Sequence, residues 1–194
     1  MFPPCGKGLT HMRHVSCQWS SEQSLDHSML LYPWLTDAGS FMQRLRDHGV
    51  HDAKIHVLRQ AWDRPLLDER RELKLDPHRY ALIREVFIHS DETIWMYART
   101  IIPHFTLTGR EQRYKFLKDR ALGSLLFKDP KMTRGTFEFM RLTPEIAWQQ
   151  SNVLDMKLKR DPVWARRSLF FLGEKPLLLA EFFLPPLEKL CGKI

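Results

Sequence analysis

Two charged residues stand where strand alternation expects apolar ones. In the run Tyr80–His89 (YALIREVFIH), side chains two apart share a face, and Arg84 falls with Leu82, Val86 and Ile88. In Lys175–Leu184, Glu181 falls with Leu177, Leu179 and Phe183. The opposite faces of both runs are also largely apolar, so turning a strand over does not return either charge to water. Burying an ion is costly unless it is paired and hydrogen-bonded. Two arrangements meet that cost. One is a structural ion pair between Arg84 and Glu181. The other is a pocket that offers the guanidinium to a ligand carboxylate and the carboxyl group to the ligand's polar end. Arg99 is a third case, sharing a face with Trp95, Tyr97 and Ile101.

The elements that must position these residues read mostly as strands. Lys54–Trp62 alternates. Tyr80–His89 and Thr93–Ile102 flank the turn Ser90–Glu92, which predicts an antiparallel hairpin. Thr136–Arg141 is a short strand, and Trp164–Leu172 and Lys175–Leu184 are joined by the turn signal Gly173-Glu174. Helical patterns cover Thr36–His48, with Phe41, Leu45 and His48 on one face and Gly49 as a stop, then Thr108–Leu117, Arg120–Phe127 and Thr143–Lys159. Asp63–Arg79, charged and carrying Pro65 and Pro77, reads as a connection. Six strands, mostly hairpin-linked, predict an α+β domain with an antiparallel sheet. Residues 1–24 form an irregular arm and residues 25–194 the domain.

Composition narrows the class. The chain has 194 residues, enough for one domain with a sizeable core, and 43% hydrophobic residues argue against disorder. Three Cys are no disulfide framework, so a reducing cytoplasm is expected. No apolar run approaches the roughly 18 residues of a membrane span, and Met1–Lys7 lacks the order of a secretory signal. A net charge of +7 suggests an anionic partner. The basic pairs, Arg70-Arg71 and Arg166-Arg167 among them, are short and read as solvated faces; no nucleic-acid-binding motif is present. Cys5, His11, His14 and Cys17 have compact zinc-like spacing but sit in the irregular arm without a supporting hairpin or helix, so no metal site is expected. Cys191 has no identified base, and His48, His51 and His56 read as surface residues near a helix-to-strand junction.

At the charged strands the sequence is similar to a known family. Arg84-Glu85, Trp95-Met-Tyr-Ala-Arg99-Thr100-Ile-Ile-Pro103, Leu122-Gly123-Ser-Leu-Leu-Phe127, Trp164-Ala-Arg-Arg167-Ser168 and the closing Gly173–Pro185 run resemble, in order and spacing, the chorismate–pyruvate lyases (4-hydroxybenzoate synthases). The likeness spans about residues 30–186. It implies a single α+β domain with a six-stranded antiparallel sheet and helices covering a closed internal ligand pocket. It implies cofactor-free elimination of pyruvate from chorismate to give 4-hydroxybenzoate, the first committed step towards ubiquinone. Matched position by position, it implies that Arg84 holds the ring carboxylate and that Glu181 faces the hydroxyl-bearing end. It further implies that Leu122 and Phe41 make backbone-amide contacts; a one-residue slip would put Met42 in place of Phe41. Arg99 would take the second carboxylate or line an access path. Leu142–Lys159 is longer than the family's usual connection.

The chemistry suits these residue types. A planar guanidinium grips a carboxylate through two parallel bonds, and an apolar wall strengthens that grip. Desolvation is expected to raise the pKa of Glu181 and fit it as a general acid/base. The expectations are therefore an enzyme acting on chorismate as a monomer, without nucleic acid or membrane insertion, and inhibited by its buried product. The rival is a non-catalytic sensor domain that binds a small aromatic or carboxylate effector in a similar pocket. Such domains normally follow a DNA-binding winged helix, for which residues 1–30 have no room.

Overall fold

Five long strands set the frame of the computed structural model, which describes residues 19–143 and 162–192. β1 (Lys54–Asp63), β2 (Ala81–Ser90) and β3 (Thr93–Pro103) form a meander, and β6 (Val163–Leu172) with β7 (Lys175–Phe183) forms a second hairpin. Both tight turns occupy the left-handed region, with Asp91 at φ 45° and Gly173 at φ 66°. Glycine carries no Cβ penalty there and aspartate tolerates it. The hairpins join edge to edge through β3 and β7, giving the order β1-β2-β3-β7-β6 with every pair antiparallel.

The sheet has seven strands where six were expected. The extra one is β4 (Met132–Arg134), which pairs with Phe170–Leu172, while β5 (Glu138–Leu142) pairs with Val163–Arg167. Both therefore run along the same edge of β6, and the sheet remains six positions wide. Gly135 lies between them and donates to the Leu169 carbonyl at 2.8 Å. A three-residue strand is too short for alternation to reveal.

Helices differ more from expectation. The pattern over Thr36–His48 resolves into the last residue of α1 (Tyr32–Thr36), a break, and the whole of α2 (Phe41–Asp47). Asp37 Oδ1 accepts from Gly39 N at 2.8 Å, and Ser40 caps α2. These side-chain bonds favour a turn over a continued helix. The stop at Gly49 (φ 84°) is as expected. Thr108–Leu117 is a 3-10 helix over Gly109–Phe116, and Arg120–Phe127 contains only α4 (Gly123–Leu126). Asp63–Arg79, expected as a connection, contains α3 (Leu67–Glu72), started by the Glu69 carboxylate accepting from Leu66 N at 2.8 Å. α5 (Pro185–Cys191) closes the described chain, with proline at its favoured first position. The expected helix Thr143–Lys159, most of the lengthened segment and the Cys5–Cys17 group lie outside the described residues. Within the expected arm, Ser20 pairs with Phe139 of β5 through two backbone bonds of 2.8 and 2.7 Å.

The core has two sides. Trp34, Leu35, Phe41, Leu45 and Leu187 from the helices pack on Val86, Ile88, Met96, Ala98 and Phe183 of the sheet. On the reverse face Phe87, Tyr97, Ala165, Ala180 and Phe182 form a second cluster with Met140 and Leu142 of β5.

Candidate active site

Register decides which charges meet. Arg84 lies opposite Thr100, Thr100 opposite Leu179, and Glu181 opposite both Ala98 and Arg166. Arg84 and Glu181 thus share a face, two strands apart and offset by two residues, a Cα separation of about 12 Å from standard sheet spacings. Between them lies a cavity of about 70 Å³. Its wall includes both residues together with Phe41, Met42, Ile55, Val86, Ile88, Met96, Ala98, Leu122, Leu126, Phe170 and Leu179. Both candidates for the helix position, Phe41 and Met42, line it, and Leu122 stands at the start of α4 on the same wall.

Arg84 is 2% exposed and has no carboxylate within bonding distance among the described residues. Its Nη2 donates to the carbonyls of Lys118 (2.8 Å) and Arg120 (3.1 Å), while its Nε is buried with no hydrogen-bond partner. Burial pushes its pKa down to about 10, still charged at neutral pH. An unpaired buried guanidinium facing a cavity is poised for an anion.

Glu181 is paired, but not with Arg84. Arg166 on β6 grips it through Nε at 2.7 Å and Nη2 at 3.2 Å, and Arg134 on β4 adds a contact at 3.3 Å. The Arg84–Glu181 ion pair is therefore absent. Nor is the Glu181 pKa raised as expected. Burial pushes it up, but the charge and hydrogen bonds of Arg166, then of Arg134, outweigh that, and the carboxyl sits below the usual range. It is a carboxylate at neutral pH, an acceptor and not an acid.

Two of these arginines escaped the sequence reading. Arg166-Arg167 read as a solvated pair, yet they are 2% and 7% exposed. Period two applied to Trp164–Leu172 sets Arg166 with Ser168 and Phe170, the same signal that isolated Arg84. Arg134 lies on the unanticipated β4. The break between α1 and α2 serves these side chains directly. Arg166 Nη1 donates to the carbonyls of Trp34 (3.1 Å), Leu35 (3.0 Å) and Asp37 (2.5 Å), and Arg134 Nη1 to that of Ala38 (3.2 Å). Carbonyls left open at a helix end, carrying partial negative charge, suit cations.

Arg99 is not in the cavity. It occupies the reverse face, where its Nε meets Glu69 at 2.7 Å and its Nη1 meets Glu85 at 2.7 Å; Tyr97 Oη donates to the same Glu85 oxygen. Arg167 lies on this face too, bonded to Glu138 (2.7 Å), Asp68 (3.2 Å) and Glu72 (3.4 Å). Arg99→Met leaves two buried carboxylates without their cation. It is expected to cost about 3–5 kcal/mol in chemical unfolding, while aromatic-acid affinity of the folded protein changes by less than about 2-fold. A large affinity loss would return Arg99 to the binding site.

Similarity to known proteins bears on the fold and the family. Solved structures with the same fold include PhnF from Mycobacterium smegmatis (TM-score 0.56, 11% identity, 78% of this chain and 66% of that one) and a GntR-family regulator from Bacillus cereus (TM-score 0.52, 9% identity, 70% and 93%). At such identities the likeness concerns fold alone. Sequence relatives are closer. A probable chorismate pyruvate-lyase of Methylobacillus flagellatus is 35% identical over 158 residues, covering 81% of this chain and 88% of the relative. One of Methylococcus capsulatus is 38% identical over 152 residues, covering 78% and 93%. The model of the chorismate lyase family matches residues 14–190, and the chain belongs to that family.

Proposed function

We propose that the protein is a chorismate–pyruvate lyase, converting chorismate to 4-hydroxybenzoate and pyruvate for ubiquinone biosynthesis. The observation that carries this reading is the buried, carboxylate-free Arg84 facing Glu181 across an apolar cavity. Chorismate fits that polarity, with a carboxylate at C1 and a hydroxyl at C4, opposite ends of one ring. Arg84 holds the ring carboxylate. Glu181, kept ionised by Arg166, accepts the C4 hydroxyl hydrogen and fixes the ring's rotation. Leu122 and Phe41 close the wall around it.

In the reaction the C3–O ether bond breaks, its electron pair leaving with enolpyruvate. The C4–H proton is lost, and a proton gained at the enolpyruvate methylene completes pyruvate. Aromatisation drives the step, so the protein must supply orientation and charge neutralisation, and the reading needs no cofactor. It places the enzyme as a monomer in the cytoplasm, resting on size and family resemblance. Among the described residues no helix is long and apolar enough to cross a membrane.

The test mixes purified protein with chorismate and follows both products. Equimolar 4-hydroxybenzoate and pyruvate are expected. Retained binding of an aromatic acid with neither product formed would make the domain a sensor instead. Because the product keeps both anchoring contacts, initial rates are expected to fall when millimolar 4-hydroxybenzoate is added at the start. Unchanged rates would contradict product retention.

A further inference from the structure

Arg134 has no role in the reading above beyond touching Glu181, yet it lines the cavity. Its guanidinium lies between two rings, 4.0 Å from the centroid of Phe137 and 4.6 Å from that of Phe170. Its Nε is fixed to Ser168 Oγ at 2.8 Å. Its Nη contacts, to Ala38 O at 3.2 Å and to Glu181 at 3.3 Å, are long for charge-assisted bonds. Arg166 differs: it holds Glu181 at 2.7 Å, spends its third nitrogen on three carbonyls, and is not part of the cavity wall. Of the two cations on Glu181, Arg134 is the one on the cavity wall, and each of its two Nη groups, with two N–H bonds, makes one long contact.

The charge balance points the same way. Three guanidiniums, Arg84, Arg134 and Arg166, face or back the cavity against one buried carboxylate, Glu181, while the exposed Asp119 acts on Arg84 from outside. The nearby Asp37 is occupied by Arg44 at 2.9 Å. Among the buried groups the excess is two positive charges, more than a monocarboxylate needs. The geometry also fits: the second carboxylate of chorismate hangs on the C3 ether, beside the C4 hydroxyl, and Arg134 stands beside the carboxylate that takes that hydroxyl.

We infer that Arg134 is the second carboxylate subsite, binding the enolpyruvyl carboxylate and so distinguishing the dianionic substrate from the monoanionic product. This rests on the lyase reading for the identity of the ligand. Once the ether breaks, Arg134 also neutralises the charge that departs with enolpyruvate, and the remaining hydroxybenzoate keeps only Arg84 and Glu181.

The experiment compares wild type, Arg134→Met and Arg134→Lys by equilibrium binding of 4-hydroxybenzoate and of 3-carboxymethoxy-4-hydroxybenzoate, a stable analogue bearing both carboxylates. Chorismate kinetics run beside it. Arg134→Met keeps the packing between the two rings. It is expected to lose about 10- to 100-fold in affinity for the dicarboxylate and in kcat/KM, with 4-hydroxybenzoate affinity held within about 3-fold because Arg166 still fixes Glu181. Arg134→Lys keeps the charge without the fork, and is expected to lose less, on the dicarboxylate alone. Equal losses on both ligands would reduce Arg134 to a prop for Glu181 and overturn the inference, as would no loss on either. Since 4-hydroxybenzoate binding reports a folded pocket, the lysine variant decides the matter should the methionine variant fail to fold. If wild type binds the dicarboxylate through Arg134 but releases no pyruvate, the lyase reading fails and the subsite stands. If turnover is normal in Arg134→Met, the reverse holds.

Discussion

Arg84→Met is expected to abolish both turnover and product binding. In the proposed reading the guanidinium, on the wall of the cavity, supplies a charge-assisted grip on the ring carboxylate, and losing it leaves that carboxylate without this counter-ion. A fall in kcat/KM of about 10³-fold or more is expected, with a comparable weakening of 4-hydroxybenzoate. Folding should move the other way. In the unliganded protein burial already depresses the Arg84 pKa and its Nε has no partner, so the side chain carries strain that a thioether does not. Equal or improved resistance to urea, together with lost binding, is the signature of a side chain kept for its ligand. Lost stability with retained binding would make Arg84 a structural tie to the Lys118 and Arg120 carbonyls.

The second large effect is at Glu181. Glu181→Gln keeps the shape and an oxygen for the substrate hydroxyl but removes the charge that Arg166 and Arg134 share. Breaking a buried charge pair on one side costs about 3–5 kcal/mol. Turnover should fall by about 10²–10⁴-fold if the carboxylate also manages a proton, and much less if it only orients the hydroxyl. The pH dependence has a definite sign. A carboxyl whose folded pKa lies below its unfolded value adds stability above the unfolded pKa and loses it as pH falls through the folded one. Wild type should therefore lose stability on acidification below about pH 4.5, the ordinary Glu value. The glutamine variant should show a shallower decline over that interval, measured by urea midpoints. Matching slopes would show that the two guanidiniums do not hold the carboxyl down.

The strands and the face shared by Arg84 and Glu181 were legible because both residues interrupt long alternating runs, a signal that needs only neighbours in sequence. What satisfies each charge was not legible, because the partners come from elsewhere in the chain. Glu181 finds Arg166 by cross-strand register and Arg134 from a strand of three residues. Arg99 was grouped correctly with Tyr97 but not with Trp95, which a register shift turns to the other side, and its partner Glu69 stands on a helix concealed in a segment whose two prolines read as a connection. The direction of the Glu181 pKa failed for the same reason: desolvation follows from an apolar neighbourhood, whereas the opposing arginines are long-range contacts.

Adjacent charges on β2 and β6 also bear on how the sheet assembles. Arg84 belongs to the cavity and Glu85 to the reverse face; Arg166 and Arg167 divide in the same way. A slip of one residue in either strand exchanges the faces of every side chain. In β2 it would aim a carboxylate at the Lys118 and Arg120 carbonyls and set Arg84 beside Arg99. In β6 the same slip exchanges one arginine for another, so there the sign of charge on each face is kept and only the fit of the bonds is lost. The misalignment in β2 sets like charges together, so the ionic pattern that prepares the pocket also proofreads the pairing of the strand that carries Arg84.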